Sequence, residues 1–434
     1  MKNILRSAVL AVTFCISVAA PAGAADIIAI VGVDVAPMDE ARLLRNHTVI
    51  IEGDRIIAVG PRDETPAPDG ADVIDGEGRY LIPGLAEMHG HLPSGGANAE
   101  DTLFLYVAGG VTLVRGMQGN DAQFALRERI NAGEITGPTL YLAAPSINGG
   151  NTKSPAEARE KVRSYKDAGW DLLKTHEGLS RETFDAMADE ANTVGIEFAG
   201  HVADDVGLAR ALESGQRTIE HLDNYLAFMG AQDQPVTDAM LARAVEATKE
   251  AGAGVVATLA LWETFLGEPE DPAAMPELRY APSQTRAAWA SRLASMRASG
   301  AAEGGAAQVI ENRRKTMKAL SDGGVEILLG SDAPQLYSVP GFSIHREMGA
   351  MAKAGMTPYE ILRSGTAAVG AYYADKDVSG VIAPGGRADL LLLNANPLED
   401  IANAALIEGV TLRGEWLPKA EIDARLDKIA AKHE

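Results

Sequence analysis

From about residue 84 to residue 370 short apolar runs alternate with helical stretches, and this alternation constrains the fold more than any other feature. The runs are YLIPGLAEMHGH (80–91), VTLVRG (111–116), TLYLAAPS (139–146), DLLKTH (171–176), IEFAGHV (196–202), RTIEHL (217–222), GVVATLAL (254–261) and VEILLGSD (325–332). Short runs rich in β-branched residues read as strands. Between them lie segments such as SPAEAREKVRSYKDAG, with Ser154 as N-cap, Pro155 at the first helical position and Gly169 as the stop. Eight strand–helix units in series point to an α/β fold built on a parallel (β/α)8 TIM barrel, although the count alone also admits a doubly wound open sheet. The longest gap, residues 262–320, starts as a Pro/Glu loop and continues as Ala/Arg-rich helices. It reads equally as a cover over an active site and as barrel-wall helix.

The two chain ends have a different texture. IIAIVGVDVAP, HTVIIEGDRIIAVGP and ADVIDGEGRYLIPG near the start, and GVIAPGGRADLLLLN and VTLRGEWLP near the end, are short strands broken by Gly, Asp and Pro. Neither set buries much alone, so residues 26–80 plus 380–420 are expected to form one small β-sandwich domain beside a barrel over 81–379. AEIDARLDKIAAKHE closes the chain as a charged surface helix.

Residues 1–25 carry Lys2 and Arg6, an apolar stretch and then Ala22, Gly23 and Ala24, the layout of a secretory signal peptide. The expected location is therefore periplasmic or secreted, with no membrane association of the mature form. Cys15, the single cysteine, lies inside that leader, so the mature chain has neither a thiol nucleophile nor a thiolate metal ligand. With 39 basic against 60 acidic residues the formal charge is −21, which argues against nucleic acid and anionic membranes as partners. A small-molecule substrate is the expected partner, with a second copy of the chain as a further candidate.

The polar residues that interrupt the runs fall at the carboxyl ends of strands, where barrels carry their chemistry. In a strand His89 and His91 face the same side while Gly90 faces the other, so two imidazoles converge as a metal chelate would require. Lys174 lies toward the end of the fourth run, His201 of the fifth and His221 of the sixth, and Asp332 ends the eighth. Singly, each has an ordinary reading: a satisfied core histidine, a turn-capping aspartate, a surface lysine. Together they sit at one rim.

With these residues on view, PGLAEMHGH followed by Lys174, His201, His221, Asp332 and the closing GVIAPGGRADLLLLNANPLEDI resembles the amidohydrolase superfamily. Within it the chain is similar to the branch of imidazolonepropionase and the metal-dependent Xaa-Pro dipeptidases, over about residues 26–418. The resemblance implies two divalent metals, usually zinc, inside the barrel. His89, His91 and Asp332 would hold the more buried ion and His201 and His221 the other, with Lys174 bridging them as a carboxylated lysine. The modification has a physical reason: an ammonium cannot ligate, whereas its carbamate is an anionic oxygen donor. A metal-bridged hydroxide would then be the nucleophile, with Asp332 as general base and acid.

Three further residues are expected to touch substrate. His176, two positions after Lys174, would polarise a carbonyl or hold a carboxylate. Arg115 would take a substrate carboxylate or brace the barrel wall, and Gly116 stands where relatives often carry Asp. Tyr225 would donate to an oxyanion. The leading function is hydrolysis of an amide (C–N) bond in a dipeptide or N-acyl amino acid. A lactone, carbamate or phosphotriester hydrolase using the same site, and a non-catalytic scaffold, are the other readings.

Overall fold

A computed structural model describes residues 27–267, 271–298 and 305–433. The leader expected over 1–25 lies outside them. Both chain ends contribute to one eight-stranded sheet. Its strands are β1 (Ile27–Val35), β2 (Leu44–Glu52), β3 (Arg55–Pro61), β4 (Asp72–Asp75), β5 (Tyr80–Pro83) and, after the central region, Leu390–Leu393, Ile407–Leu412 and Glu415–Pro418. Leu390–Leu393 pairs antiparallel with β5, with Leu391 opposite Ile82, so the end of the chain supplies a partner that the start lacks. On the far side Arg55 bridges Arg387, and Ile56 N–H donates to Gly386 O at 2.9 Å. The sheet therefore curls back on its own strand run, and Ile30, Val33, Val49, Ile51, Leu390 and Leu392 share one apolar interior.

The central region holds β6 (Leu85–Gly90), β7 (Val111–Gly116), β8 (Thr139–Leu142), β9 (Leu173–Thr175), β10 (Phe198–Gly200), β11 (Thr218–Glu220) and β12 (Gly254–Val256). They form a three-stranded and a four-stranded parallel sheet. Isolated parallel bridges Ala143↔Leu172 and Ile147↔Thr175 join β8 to β9, and Val255↔Ile327 extends the other edge. Met88 N–H donates to Leu329 O at 2.8 Å, which returns the array to its first strand.

Two runs fall short of the strands expected. Residues 325–332 make the single bridge at Ile327 and then leave the ladder, because other groups take their donors: Ser364 O accepts from Leu329 N, and the Glu87 carboxylate accepts from Ser331 N at 2.8 Å. The run 254–261 is a strand only to Val256. Thr258 turns the backbone left-handed at φ 47°, and the Glu347 carboxylate accepts from Leu259 N and Ala260 N at 2.8 and 2.7 Å. That carboxylate caps orphan donors at the start of a helix, Leu259–Leu266.

The helix expected after Ser154 spans Pro155–Asp167, and Ser154 Oγ accepts from Glu157 N at 3.3 Å. Within 262–320, helix Ala306–Asp322 packs on Asp238–Glu250, Leu259–Leu266 and Ser343–Lys353, as a wall helix would. The last helix, Lys419–Ala431, buries Ile422, Leu426 and Ile429, so it is docked by an apolar stripe rather than merely lying on the surface. Among the described residues no helix is long and apolar enough to cross a membrane.

Candidate metal centre

The pairing register fixes where the polar side chains stand. Lys174 lies in β9 opposite Ala199, His201 directly follows β10, His221 directly follows β11, and His89 is the penultimate residue of β6. All therefore emerge at the same end of the parallel array, together with Asp332 after the eighth run. His89 Nε2 lies 3.2 Å from Lys174 Nζ and 3.7 Å from Asp332 Oδ1, His91 Nε2 lies 2.7 Å from Asp332 Oδ1, and His221 Nε2 lies 3.9 Å from Asp332 Oδ2. The His221 ring sits 4.4 Å from that of His89 and 4.5 Å from that of His201. The six side chains singled out at strand ends thus form one cluster.

Its donor chemistry suits a divalent cation. One ligand atom each from His89, His221 and Asp332 falls within a 4.8 Å span. His221 Nε2 and Asp332 Oδ1 are buried without a hydrogen bond, despite the 2.7 Å approach of His91 to the latter. Buried polar atoms ordinarily find partners, and two converging acceptors without them are what a metal would satisfy. Burial, reinforced by the charge of Lys174, holds the His89 ring well below the ordinary imidazole value, and burial with the neighbouring His89 and His201 does the same for His221. Both shifts favour the neutral imidazole, the form that can ligate.

Three partners that the sequence reading missed orient these rings. Glu220 Oε2 lies 2.6 Å from His89 Nδ1, Asp223 Oδ2 lies 2.7 Å from His201 Nδ1, and Thr258 Oγ1 lies 2.8 Å from His221 Nδ1. With Nδ1–H donating in each case, every Nε2 keeps its lone pair for the cluster. Glu220 and Asp223 flank His221 in IEHLDN, a local signal that could have been read; Thr258, one strand away, gives none. Glu87 is buried beneath the cluster, accepting from His89 N and from Ser331 N and Oγ, and burial pushes its carboxyl up to about 8 against those bonds. His221, Thr258 and Asp332 all adopt positive φ, 58°, 47° and 61°, conformations costing L-residues about 1–3 kcal/mol each that cluster at functional sites.

Lys174 is buried, and desolvation brings its amine down to about 8 against the raising fields of Glu220 and Asp332. His176 adjoins the cluster with its ring 4.3 Å from that of His201. Its Nδ1 accepts from Glu177 N at 2.8 Å, which leaves Nε2–H as its donor. Burial, with His201 and Lys174 alongside, lowers its pKa to about 4.

Arg115 takes the bracing alternative rather than the substrate-binding one, and Tyr225 departs from expectation. Arg115 is wholly buried: Nε donates to Met88 O at 2.7 Å, Nη1 to Thr218 Oγ1 at 3.1 Å and Nη2 to Glu220 Oε1 at 2.8 Å. Burial is the largest single influence and lowers its pKa, but Glu220 together with Tyr372, Tyr373 and Glu197 holds the guanidinium above its usual value. All three nitrogens are committed, so Arg115 braces the array and grips no substrate. Tyr225 is equally buried, its hydroxyl 2.7 Å from Thr248 Oγ1 on helix Asp238–Glu250, which removes it as an oxyanion donor. His345, given no catalytic role in the sequence reading, is bound through Nε2 to Gly109 O.

The Amidohydrolase family model matches residues 80–417, which takes in the whole cluster. The chain belongs to the amidohydrolase family. Imidazolonepropionase from Streptomyces coelicolor is 27% identical to this amidohydrolase over 403 residues, covering 86% of this chain and 92% of that protein. Among solved structures, a bottromycin amidohydrolase superposes with a TM-score of 0.74 at 21% identity, over 94% of this chain and 90% of that one. A Xaa-Pro dipeptidase with methionine bound in its active site gives 0.70 at 20% identity, over 91% of this chain and 100% of that one. The solved structures it resembles give this amidohydrolase a TIM-barrel-like α/β fold. Membership makes it a metal-dependent hydrolase of carbon–nitrogen bonds acting on small molecules.

Proposed function

We propose that this amidohydrolase cleaves the amide bond of a dipeptide or N-acyl amino acid at a binuclear centre, outside the cytoplasm. The buried convergence of His89, His91, Lys174, His201, His221 and Asp332 at one rim carries the reading. The architecture that accounts for it is a (β/α)8 barrel over 81–379 with a β-sandwich domain from 26–80 and 380–420. Export rests on the leader-like sequence at 1–25.

His89, His91 and Asp332 would hold one ion and His201 and His221 the other, with carboxylated Lys174 between them. In that modification the Lys174 ammonium gives up two protons to solvent as its nitrogen bonds the carbon of CO2, turning a cation among imidazoles into an anion that attracts metal. Nζ has no carboxylate within ion-pair distance among the described residues, and its hydrogen-bond partner is His89 Nε2. When bound, two divalent ions, zinc in this reading, supply a water acidified toward neutrality and a Lewis acid for the scissile carbonyl. Asp332 stands where its carboxylate would take the proton of the attacking water and pass it to the leaving amine nitrogen. The His176 Nε2–H would donate to the carbonyl oxygen as charge builds on it.

Two measurements test this. The purified protein is expected to carry about two equivalents of divalent metal, to lose hydrolysis of a dipeptide and N-acyl amino acid library on chelation, and to regain it with Zn2+. Metal-free protein indifferent to chelator sinks the reading. Asp223→Asn, which weakens the acceptor that fixes the His201 tautomer, is expected to lower metal affinity by about 10- to 100-fold with secondary structure intact. Competition with a chromophoric chelator reads that affinity, and unchanged binding would show that Asp223 does not orient a ligand.

A further inference from the structure

A cavity of about 790 Å³ opens beside the cluster, with His201, Asp223, Trp262 and Arg313 among the residues that line it. Arg313 comes from helix Ala306–Asp322, inside the segment whose role the sequence left undecided. It is 6% exposed, and its guanidinium lies 4.3 Å from the centroid of the Trp262 ring. Nη2 donates to the backbone carbonyl of His221, while Nε is buried with no hydrogen-bond partner.

Among the described residues Arg313 makes no ion pair. The two carboxylates whose fields reach it are committed elsewhere: Asp223 to His201 Nδ1, and Glu347 to Leu259 N and Ala260 N. A guanidinium taken out of water without a carboxylate is costly, and it persists where something else neutralises it. Arg115 supplies the contrast, since it too is buried but is paired with Glu220 and bonded through all three nitrogens. The Trp262 ring face supports the guanidinium as a cation–π partner and limits its freedom, but does not neutralise its charge.

We propose that Arg313 anchors the free carboxylate of the substrate at the buried wall of this cavity, one of the roles expected of Arg115 from the sequence. The proposal rests on the amide-hydrolase reading above, and it narrows the substrate to a molecule whose carboxylate lies a short reach from the scissile bond, because the guanidinium meets the carbonyl of a clustered histidine. The exposed acids Glu177, Asp204 and Asp205 line the mouth. They disfavour an anion there, so a carboxylate is favoured only beside Arg313, while an amino group would face the mouth.

Two inert probes separate anchoring from turnover: 4-methylpentanoate, and the uncharged ketone of similar shape, 5-methylhexan-2-one. Calorimetric titration into zinc-loaded protein is expected to show the carboxylate bound about 10- to 100-fold more tightly. Arg313→Gln, which can still donate to the His221 carbonyl, should erase that preference, and Arg313→Lys should recover part of it. Arg313→Met, keeping a stem over Trp262, is the second neutral variant if the first does not fold. Equal binding of the two probes by wild type, or a preference that survives in the neutral variant, overturns the proposal. For any dipeptide that is cleaved, the loss in the neutral variant should fall on KM more than on kcat, and only for the free acid relative to its C-terminal amide. If no dipeptide or N-acyl amino acid is cleaved while the Arg313-dependent preference stands, the hydrolase reading fails and the anchor does not.

Discussion

Asp332→Asn is expected to lower kcat by about a hundredfold to ten-thousandfold while leaving the fold intact. Asparagine matches aspartate in shape and is among the few residues that tolerate a left-handed backbone, so the φ of 61° at this position is kept. What disappears is the charge and the ability to take a proton. Asp332 has an oxygen 2.7 Å from His91 Nε2 and another 3.9 Å from His221 Nε2, and the proposed function gives it both a ligating and a proton-carrying role. Parallel measurement of kcat and bound metal separates these roles. Full metal with depressed kcat identifies proton transfer, and metal loss in step with kcat identifies ligation. A variant within about threefold of wild type in both would remove Asp332 from the chemistry, since general acid–base catalysis is worth far more than that.

The legible parts of this protein were the ones written in local pattern. VTLVRG is β7 to the residue, and Ser154 caps its helix, because alternation and capping depend on neighbours in sequence. The six clustered side chains were legible for a related reason: the parallel register carries the carboxyl end of each strand to the same rim, so order along the chain becomes proximity in space. Orientation was not legible. Arg115 and Tyr225 were assigned to substrate because they follow or end strands, yet their partners Glu220 and Thr248 lie far along the chain. Thr258 looked like part of a strand until its left-handed turn and the Glu347 carboxylate, 89 residues away from it in sequence, made it the start of a helix. Arg313 gave no signal in an Ala/Arg-rich helix, because the absence of a counter-ion is a property of three-dimensional surroundings.

Arg115→Met is expected to destabilise the protein by about 3–5 kcal/mol, the cost of removing one member of a buried ion pair. Glu220 is fully buried, and its Oε1 accepts from Arg115 Nη2 while its Oε2 faces His89 Nδ1. Without the guanidinium, that carboxylate keeps its desolvation cost and loses its cation. The damage reaches the metal centre, because the Glu220 carboxylate that Arg115 holds in place is the same group that orients His89 through Nδ1. Metal affinity should therefore fall together with the denaturation midpoint. Arg115→Met with Glu220→Gln should recover much of the stability, since the stranded charge is gone, but not the metal affinity, which needs a strong acceptor on His89 Nδ1. A substrate-gripping arginine would behave in the opposite way: Arg115→Met would raise KM for a carboxylate-bearing peptide and leave chemical denaturation unchanged. The two patterns share no outcome, so one denaturation curve and one chelator competition decide between a brace and a binding residue.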